Sequence, residues 1–231
     1  MGDQLVSNLI VVGEGQTEES FSRDVLGPEL FDHGLFVHPR LIRTSTYGRG
    51  GALRWNRVRL FLRNTLRERA DTYVTTFFDL YKLDRDFPGW NQANALLNPL
   101  DRATELERHF HAAVVEEAKC REDRFIPHIQ PHEFEALIFS NVDVLADVEI
   151  GWTASLAELR NVRAAVETPE HINDDETTHP SARLERALHP PYQKVLHGVL
   201  ITRRIGLTRI RQECLHFASW LTKLETLPPL R

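Results

Sequence analysis

Cysteine is nearly missing from this chain: Cys120 and Cys214 are the only two in 231 residues, far apart, with no CxxC pair and no cluster of histidines around them. That excludes a disulfide framework and a cysteine-based structural zinc site, and leaves two thiols expected to be buried. Long apolar runs are missing too. Nothing approaches the roughly 20 residues that a membrane helix needs. The N-terminus lacks the basic, apolar, small-residue order of a secretory signal, so a cytoplasmic protein with no membrane partner is expected. There is no excess of positive charge, since 28 Lys and Arg face 33 Asp and Glu for a net charge of −5. The charge therefore does not announce a nucleic-acid binder as a strongly basic domain would. It leaves room for an enzyme whose acids hold divalent cations that offset them. A Walker loop and a dinucleotide fingerprint are absent as well; the glycine-rich stretch Tyr47-Gly48-Arg49-Gly50-Gly51 fits neither and reads as a hairpin or mobile loop.

What the chain does have is apolar content, 42% of its residues, enough for a sizeable core in one elaborated domain or one domain with a helical appendage. Strands are expected at residues 9–13, 35–42, 73–78 and 125–130, with helices over 18–31, 53–69 and 101–120 between them. Residues 79–98 read as a long functional or mobile loop. This alternation argues an α/β core with a largely parallel sheet. Beyond Asn141 the strand signal fades, and helices are expected over 156–166, 181–188, 193–204 and 207–224. The chain thus divides into an α/β part, 1–141, and a helical region, 142–231, packed on it. Trp152, Phe217 and Trp220 are assigned to the core.

Two of the strands end in acids. Leu9-Ile10-Val11-Val12-Gly13 leads to Glu14, set between two glycines, and the run from Tyr73 to Phe78 leads to Asp79. A buried strand fixes the backbone there, small neighbours leave room for a phosphate or a metal, and a following helix presents its N-terminus to anions. Glu and Asp oxygens suit Mg2+ or Mn2+, which polarise a phosphate and lower the pKa of attacking water. Glu14, Asp79 and Glu18 are therefore candidate ligands. Glu18 reads equally as a first-turn acid stabilised by the helix dipole, and Glu14 and Asp79 as strand-end acids capping a loop. His132-Glu133-Phe134-Glu135 adds two more acids, but is not the HExxH zinc pattern, since no second His follows four residues on. With a helix starting here, Phe134, Leu137 and Ile138 point inward while Glu133 or Glu135 faces the strand ends. His132 then positions water, binds phosphate or caps that helix. Carboxylates more than about 10 Å apart could not share ions coordinated at about 2.0–2.6 Å.

Taken together, Val12-Gly13-Glu14-Gly15-Gln16-Thr17-Glu18, Phe78-Asp79-Leu80-Tyr81 with Phe87-Pro88-Gly89, Arg124-Phe125-Ile126-Pro127 and His132-Glu133-Phe134-Glu135-Ala136-Leu137 form an ordered series of blocks. It continues through Pro169-Glu170-His171-Ile172-Asn173-Asp174, Pro180-Ser181-Ala182-Arg183-Leu184, Tyr192-Gln193-Lys194 and Ile205-Gly206-Leu207. The series resembles a bacterial family of unknown function whose members look like Toprim-fold proteins, and the resemblance covers almost the entire chain. It implies a Toprim-like three-layer α/β/α core followed by helices. In Toprim topoisomerases, primases and nucleases of the overcoming-lysogenization-defect type, a strand-end Glu and an Asp-x-Asp pair bind divalent metal for phosphodiester chemistry. Glu14 matches the glutamate and Asp79 the first aspartate. Tyr81 stands at the second, so Asp84, Asp86, Glu133 or Glu135 would have to complete the shell. The spacing of Glu14 and Glu18 is similar to the paired glutamates of the nuclease branch.

The resulting expectation is a metal-dependent nuclease or nuclease subunit acting on DNA or RNA. Glu14, Asp79, Glu133 and Lys194 are the catalytic candidates; Glu14, Glu18, Asp79, Glu133 and Glu135 are the ligands for Mg2+ or Mn2+. Arg49, His132, Arg183 and Lys194 are candidate phosphate contacts, with Lys194 and Arg183 equally readable as ion-pair partners for an acid such as Asp174. Arg54, Arg57, Arg59, Arg63, Arg67 and Arg69 could meet phosphates or form a solvated helix face. The resemblance also implies a bacterial defence setting with a separate ATPase partner, because this chain has no Walker motif. The competing expectation is a non-catalytic scaffold that binds nucleic acid or an ATPase, Tyr81 marking a site that lost two-metal competence. Nucleotidyl transfer would use the same acids but require a nucleoside triphosphate.

Overall fold

The computed structural model describes residues 6–42, 52–172 and 177–230. At its centre lies a sheet of β1 (Ser7–Gly13), β2 (Leu35–Leu41), β3 (Thr72–Asp79) and β4 (Phe125–Ile126) in the order β2-β1-β3-β4, every neighbouring pair parallel. All eight residues of β3 are buried, as a strand covered on both faces requires. β2 carries Pro39 and is mostly half-buried; it is the edge strand, where a missing N–H costs no ladder bond. The single strand expected over 125–130 is split. Pro127 has no N–H to offer, and the chain leaves the ladder there before β5 (Ile129–Gln130) pairs with the end of β3. Across the gap the Thr76 hydroxyl bonds both the N–H and the carbonyl of His128, each at 3.0 Å.

The connecting helices lie on both faces of the sheet. α1 (Gln16–Phe21) runs through a π-helical stretch, Ser22–Leu26, into α2 (Gly27–Asp32). Their Phe21, Val25, Leu26 and Leu30 pack with Leu9, Val11, Tyr73 and Phe77. On the opposite face α3 (Trp55–Glu68) and α5 (Pro99–Ala118) bring Val58, Leu62, Leu66 and Phe110 against Ile10, Val12, Val74 and Phe78. Between them, α4 (Trp90–Asn94) gives the expected loop 79–98 a helical turn of its own. The arginines of α3 are partly structural: Arg59 and Arg63 pair with Glu117 of α5, and Arg67 donates to the Glu117 and Ala118 carbonyls.

The C-terminal region is helical: α6 (Leu145–Val148), α7 (Leu156–Ala164), α8 (Pro180–Ala187), α9 (Lys194–Ile205), α10 (Leu207–Glu213) and α11 (Leu215–Glu225). It packs on the α1 face, so that Trp152, Phe217 and Trp220 share one core cluster with Leu9, Tyr73 and Phe77, and that cluster runs across Asn141. The single helix expected over 207–224 is two helices. The buried Glu170 carboxylate accepts from the N–H groups of His216 and Phe217 at 2.9 Å each, capping the start of α11 and fixing the break at Cys214. The Cys214 thiol is buried as expected, whereas Cys120 is half-buried. No described helix is long and apolar enough to cross a membrane.

Candidate functional site

β1 and β3 lie side by side, yet β1 feeds β2 on one side and β3 feeds β4 on the other. Their carboxyl ends therefore flank the point where the chain direction across the sheet reverses, where an open parallel sheet leaves a crevice. Glu14 follows β1 and Asp79 ends β3, and the two are joined: a Glu14 carboxylate oxygen accepts from the Asp79 N–H at 2.9 Å. An Asp79 carboxylate oxygen accepts in turn from the Phe134 N–H at 2.8 Å, fixing the entry of the segment Phe134–Ser140. That segment is a 3-10 helix rather than the α-helix its pattern suggests. Its seven residues are all buried, so no solvent-facing stripe imposes a 3.6-residue period.

Glu135, in the first turn of that segment, faces the start of α9. Its carboxylate lies 3.0 Å from Lys194 Nζ and accepts from the Tyr192 hydroxyl at 3.2 Å. The same ammonium lies 3.6 Å from Asp79 and 3.8 Å from Glu18. Three expected ligands thus surround one nitrogen, well inside the separation that would rule out a common site. The glycines on either side of Glu14 have a different use from the one the sequence suggests. A Cβ at Gly13 would stand 2.9 Å from Glu18 Cβ, and one at Gly15 would stand 2.9 Å from a Glu18 carboxylate oxygen. The space belongs to the Glu18 side chain. Gly198 does the same for α9, where a Cβ would stand 3.1 Å from both Phe134 and Thr17.

Electrostatics set this cluster apart. Burial, with the Asp79 and Glu18 charges, raises the Glu14 carboxyl well above its usual range. Asp79 is pushed up to about 7, chiefly by burial and further by Glu18 and Glu133, against the pull of Lys194. Glu135 is pushed up to about 8, again chiefly by burial, with Glu133 and Asp79 adding to it. Burial works against the Lys194 ammonium, but Asp79, Glu135, Glu18 and Glu133 together outweigh it and hold that group well above its usual value. As donors the acids suit a hard divalent ion. Among the described residues, however, no three of them bring their oxygens within 4.8 Å of one another, and the cation they share is Lys194.

The other expected residues fall around this cluster in different ways. Glu133 turns toward α8, where it accepts from the Ser181 N–H and, at 3.1 Å, from the Ser181 hydroxyl, and lies 3.0 Å from His179 Nδ1. It reaches the cluster through its charge. His132 is buried with a left-handed backbone, φ 61°, and its carbonyl accepts from the Tyr81 N–H at 3.0 Å. Tyr81 is half exposed and stacks on His179, with ring centroids 5.7 Å apart. Asp84 and Asp86 serve the other side of the sheet end, pairing with Arg54 at 3.6 Å and capping the Trp55 N–H at 2.9 Å. Arg183 donates to the Thr178 carbonyl. Arg49 and Asp174 lie outside the described residues. Sequence reasoning gave no site role to Tyr192, Ser181 or His179, although the first two stand in the motif blocks quoted above. It also missed Glu107, His128 and His216, whose ligand atoms lie within 4.8 Å of one another.

The family model described as a domain of unknown function (DUF4276) matches residues 13–225, nearly the whole chain and all of the residues just described. No curated protein and no solved structure matches the chain.

Proposed function

Because the chain belongs to the DUF4276 family, whose description assigns no activity, the function has to be argued from the site, and we propose that it is a divalent-metal-dependent phosphodiester hydrolase, a nuclease or nuclease subunit acting on DNA or RNA. One observation carries this reading: Glu14, Glu18, Asp79 and Glu135 converge at the carboxyl ends of two adjacent parallel strands, with the Lys194 ammonium the one Lys or Arg cation within 4 Å of them among the described residues. Four carboxyl groups around one ammonium at a sheet's switch point favour a site completed by a cation, whose arrival would release the protons they hold, and an anionic substrate. Mg2+ or Mn2+ would be held by Glu14, Asp79 and Glu18 or Glu135 once the Lys194 ammonium moves aside and their oxygens draw together, and when bound would polarise a phosphate and acidify water. The chain's own groups supply the rest. Glu135, where Glu18 is the third ligand, takes up or releases a proton beside the substrate, its proton affinity raised by burial. Lys194 stabilises charge developing on the phosphate. The Toprim resemblance supports the same assignment of Glu14 and Asp79, and it alone supports a bacterial defence setting with a separate ATPase.

The test is cleavage of single- and double-stranded DNA and RNA with Mg2+ or Mn2+, wild type beside Glu14→Gln and Asp79→Asn. The expected outcome is metal-dependent cutting that falls at least about 100-fold in both variants; cutting that survives both would sink the reading. One observation favours a second reading, a non-catalytic scaffold. Lys194 already balances three of the acids, and Tyr81 stands where the resemblance places an aspartate. A scaffold would bind nucleic acid or a partner equally well in wild type and in both variants, and would show no Mg2+ or Mn2+ uptake by calorimetry.

A further inference from the structure

Beside the β4 and β5 edge of the sheet, three side chains from distant parts of the chain meet: Glu107 on α5, His128 between β4 and β5, and His216 in the first turn of α11. A Glu107 carboxylate oxygen lies 2.7 Å from His216 Nε2 and 3.6 Å from His128 Nδ1, and the same oxygen accepts from the Ile129 N–H at 2.8 Å. The ligand atoms of all three lie within 4.8 Å of one another, and all three residues are buried.

His128 is the unusual member. Its side chain is fully buried, with Nε2 3.2 Å from the Gln130 side-chain oxygen. An oxygen can only accept there, so the ring proton sits on Nε2, and Nδ1 presents a lone pair. Nδ1 has no hydrogen-bond partner. Burial holds the imidazole neutral by pushing its pKa well below the usual value, with His216 adding to that effect. A buried lone pair consequently faces, at 3.6 Å, a carboxylate oxygen whose hydrogen bonds come from His216 and the Ile129 N–H, and Nδ1 itself is left without a donor, which costs free energy unless a cation fills the gap. The surroundings are rigid. The His128 ring is stacked on Trp220 at 4.4 Å and 15°, and on His216 at 5.2 Å and 23°. A bond from the far ring nitrogen to an acceptor, and a backbone N–H orienting the carboxylate, are what metal-ligating His and Glu ordinarily have behind them.

We propose that Glu107, His128 and His216 form a transition-metal site, a His2Glu centre for Zn2+, separate from the carboxylate cluster and independent of the function proposed for it. Zinc bonds of about 2.0–2.2 Å place tetrahedral ligand atoms roughly 3.3–3.6 Å apart; the 3.6 Å spacing meets the top of that range, and the 2.7 Å one, a hydrogen bond between His216 and Glu107, has to open as zinc replaces its proton. Two imidazoles and one carboxylate select zinc over magnesium. Three protein ligands leave a fourth position open. Glu107 also forms part of the wall of a cavity of about 440 Å³ lined by Arg108, His111, Phe125 and Lys223, which gives the ion a route in.

The test uses the full chain, stripped with chelator and titrated with Zn2+ against a chromogenic competitor, and in parallel with Co2+ followed by visible absorption. With excess Mg2+ present to occupy the carboxylate cluster, one equivalent of tightly bound Zn2+ and the visible bands of tetrahedral Co2+ are expected. Affinity should fall more than about 100-fold in His128→Phe, which keeps a ring against Trp220, and in Glu107→Gln, which keeps an acceptor for the Ile129 N–H. Absence of the Co2+ bands in wild type, or zinc binding that survives both substitutions, overturns the proposal. Should either variant fail to fold, the wild-type Co2+ spectrum and a zinc-dependent rise in Tm decide it alone.

Discussion

At the scale of single residues, the site is a balance between buried acids and one lysine. Asp79 and Glu135, at about 7 and about 8, hold protons that they would release in an unfolded chain near pH 4. The folded state therefore binds more protons between about pH 4 and 8, and the stability these groups confer at low pH is lost as pH rises through that window. Asp79→Asn should flatten this part of the slope, so that its Tm relative to wild type improves from pH 5 to pH 8 in chelator; a constant difference would count against the assignment. Arg124 has a purely structural task. Buried, it donates to the carbonyls of Leu66, Arg69 and Thr72, closing the end of α3 onto the start of β3. Arg124→Met should cost about 3 kcal/mol, read from the urea midpoint, because buried acceptors lose a charged donor. That Glu14 and Asp79 meet was legible because each follows a buried strand, and Glu135 was legible only as one of two acids in the run from His132, beside Glu133. Lys194 was legible as a phosphate contact or an ion-pair partner; that its partners are Glu135, Asp79 and Glu18 is a matter of distance, which spacing along the chain does not encode. His128 and His216 were invisible for the same reason, since their common carboxylate comes from yet another element.

At the scale of elements, the places where periodicity misleads are those where a side chain from elsewhere intervenes. Residues 125–130 look continuous, but Pro127 interrupts the ladder and Thr76 carries the bonding across. Residues 207–224 look like one helix, but Glu170 supplies a cap that starts a second. Glu170→Ala should therefore lower stability by about 2 kcal/mol, measured by chemical denaturation, as two buried N–H groups lose a carboxylate. The approach of α9 to α1 is set by Gly198. Gly198→Val should cost about 1–3 kcal/mol through overpacking against Phe134 and Thr17. It should also weaken any metal uptake at the strand ends, because Lys194 begins the same helix; Tm and calorimetry would separate the two effects.

At the scale of the whole molecule, the alternation of strands and helices was enough to give the α/β class and the helical C-terminal region. The way that region is joined to the sheet was not, because the core cluster that runs across Asn141 is made by contacts distant in sequence. Those contacts reach the earliest strands: Trp220 Nε1 donates to Thr75 at 2.8 Å, the Tyr73 hydroxyl to the Pro228 carbonyl at 2.6 Å, and the Leu230 N–H to the Ser7 hydroxyl at 3.0 Å. Translation delivers β1 and β3 long before α11 exists to cover them. A ribosome paused after residue 214 would hold an apolar sheet face that α1 and α2 cover only in part, a substrate for chaperones and proteases. Limited proteolysis of stalled nascent chains should find β3 cleavable at that length and resistant once residue 230 has cleared the exit tunnel. Synthesis is then the stage at which this protein is most vulnerable to loss, and slow codons placed ahead of α11 would reduce its yield without altering one residue.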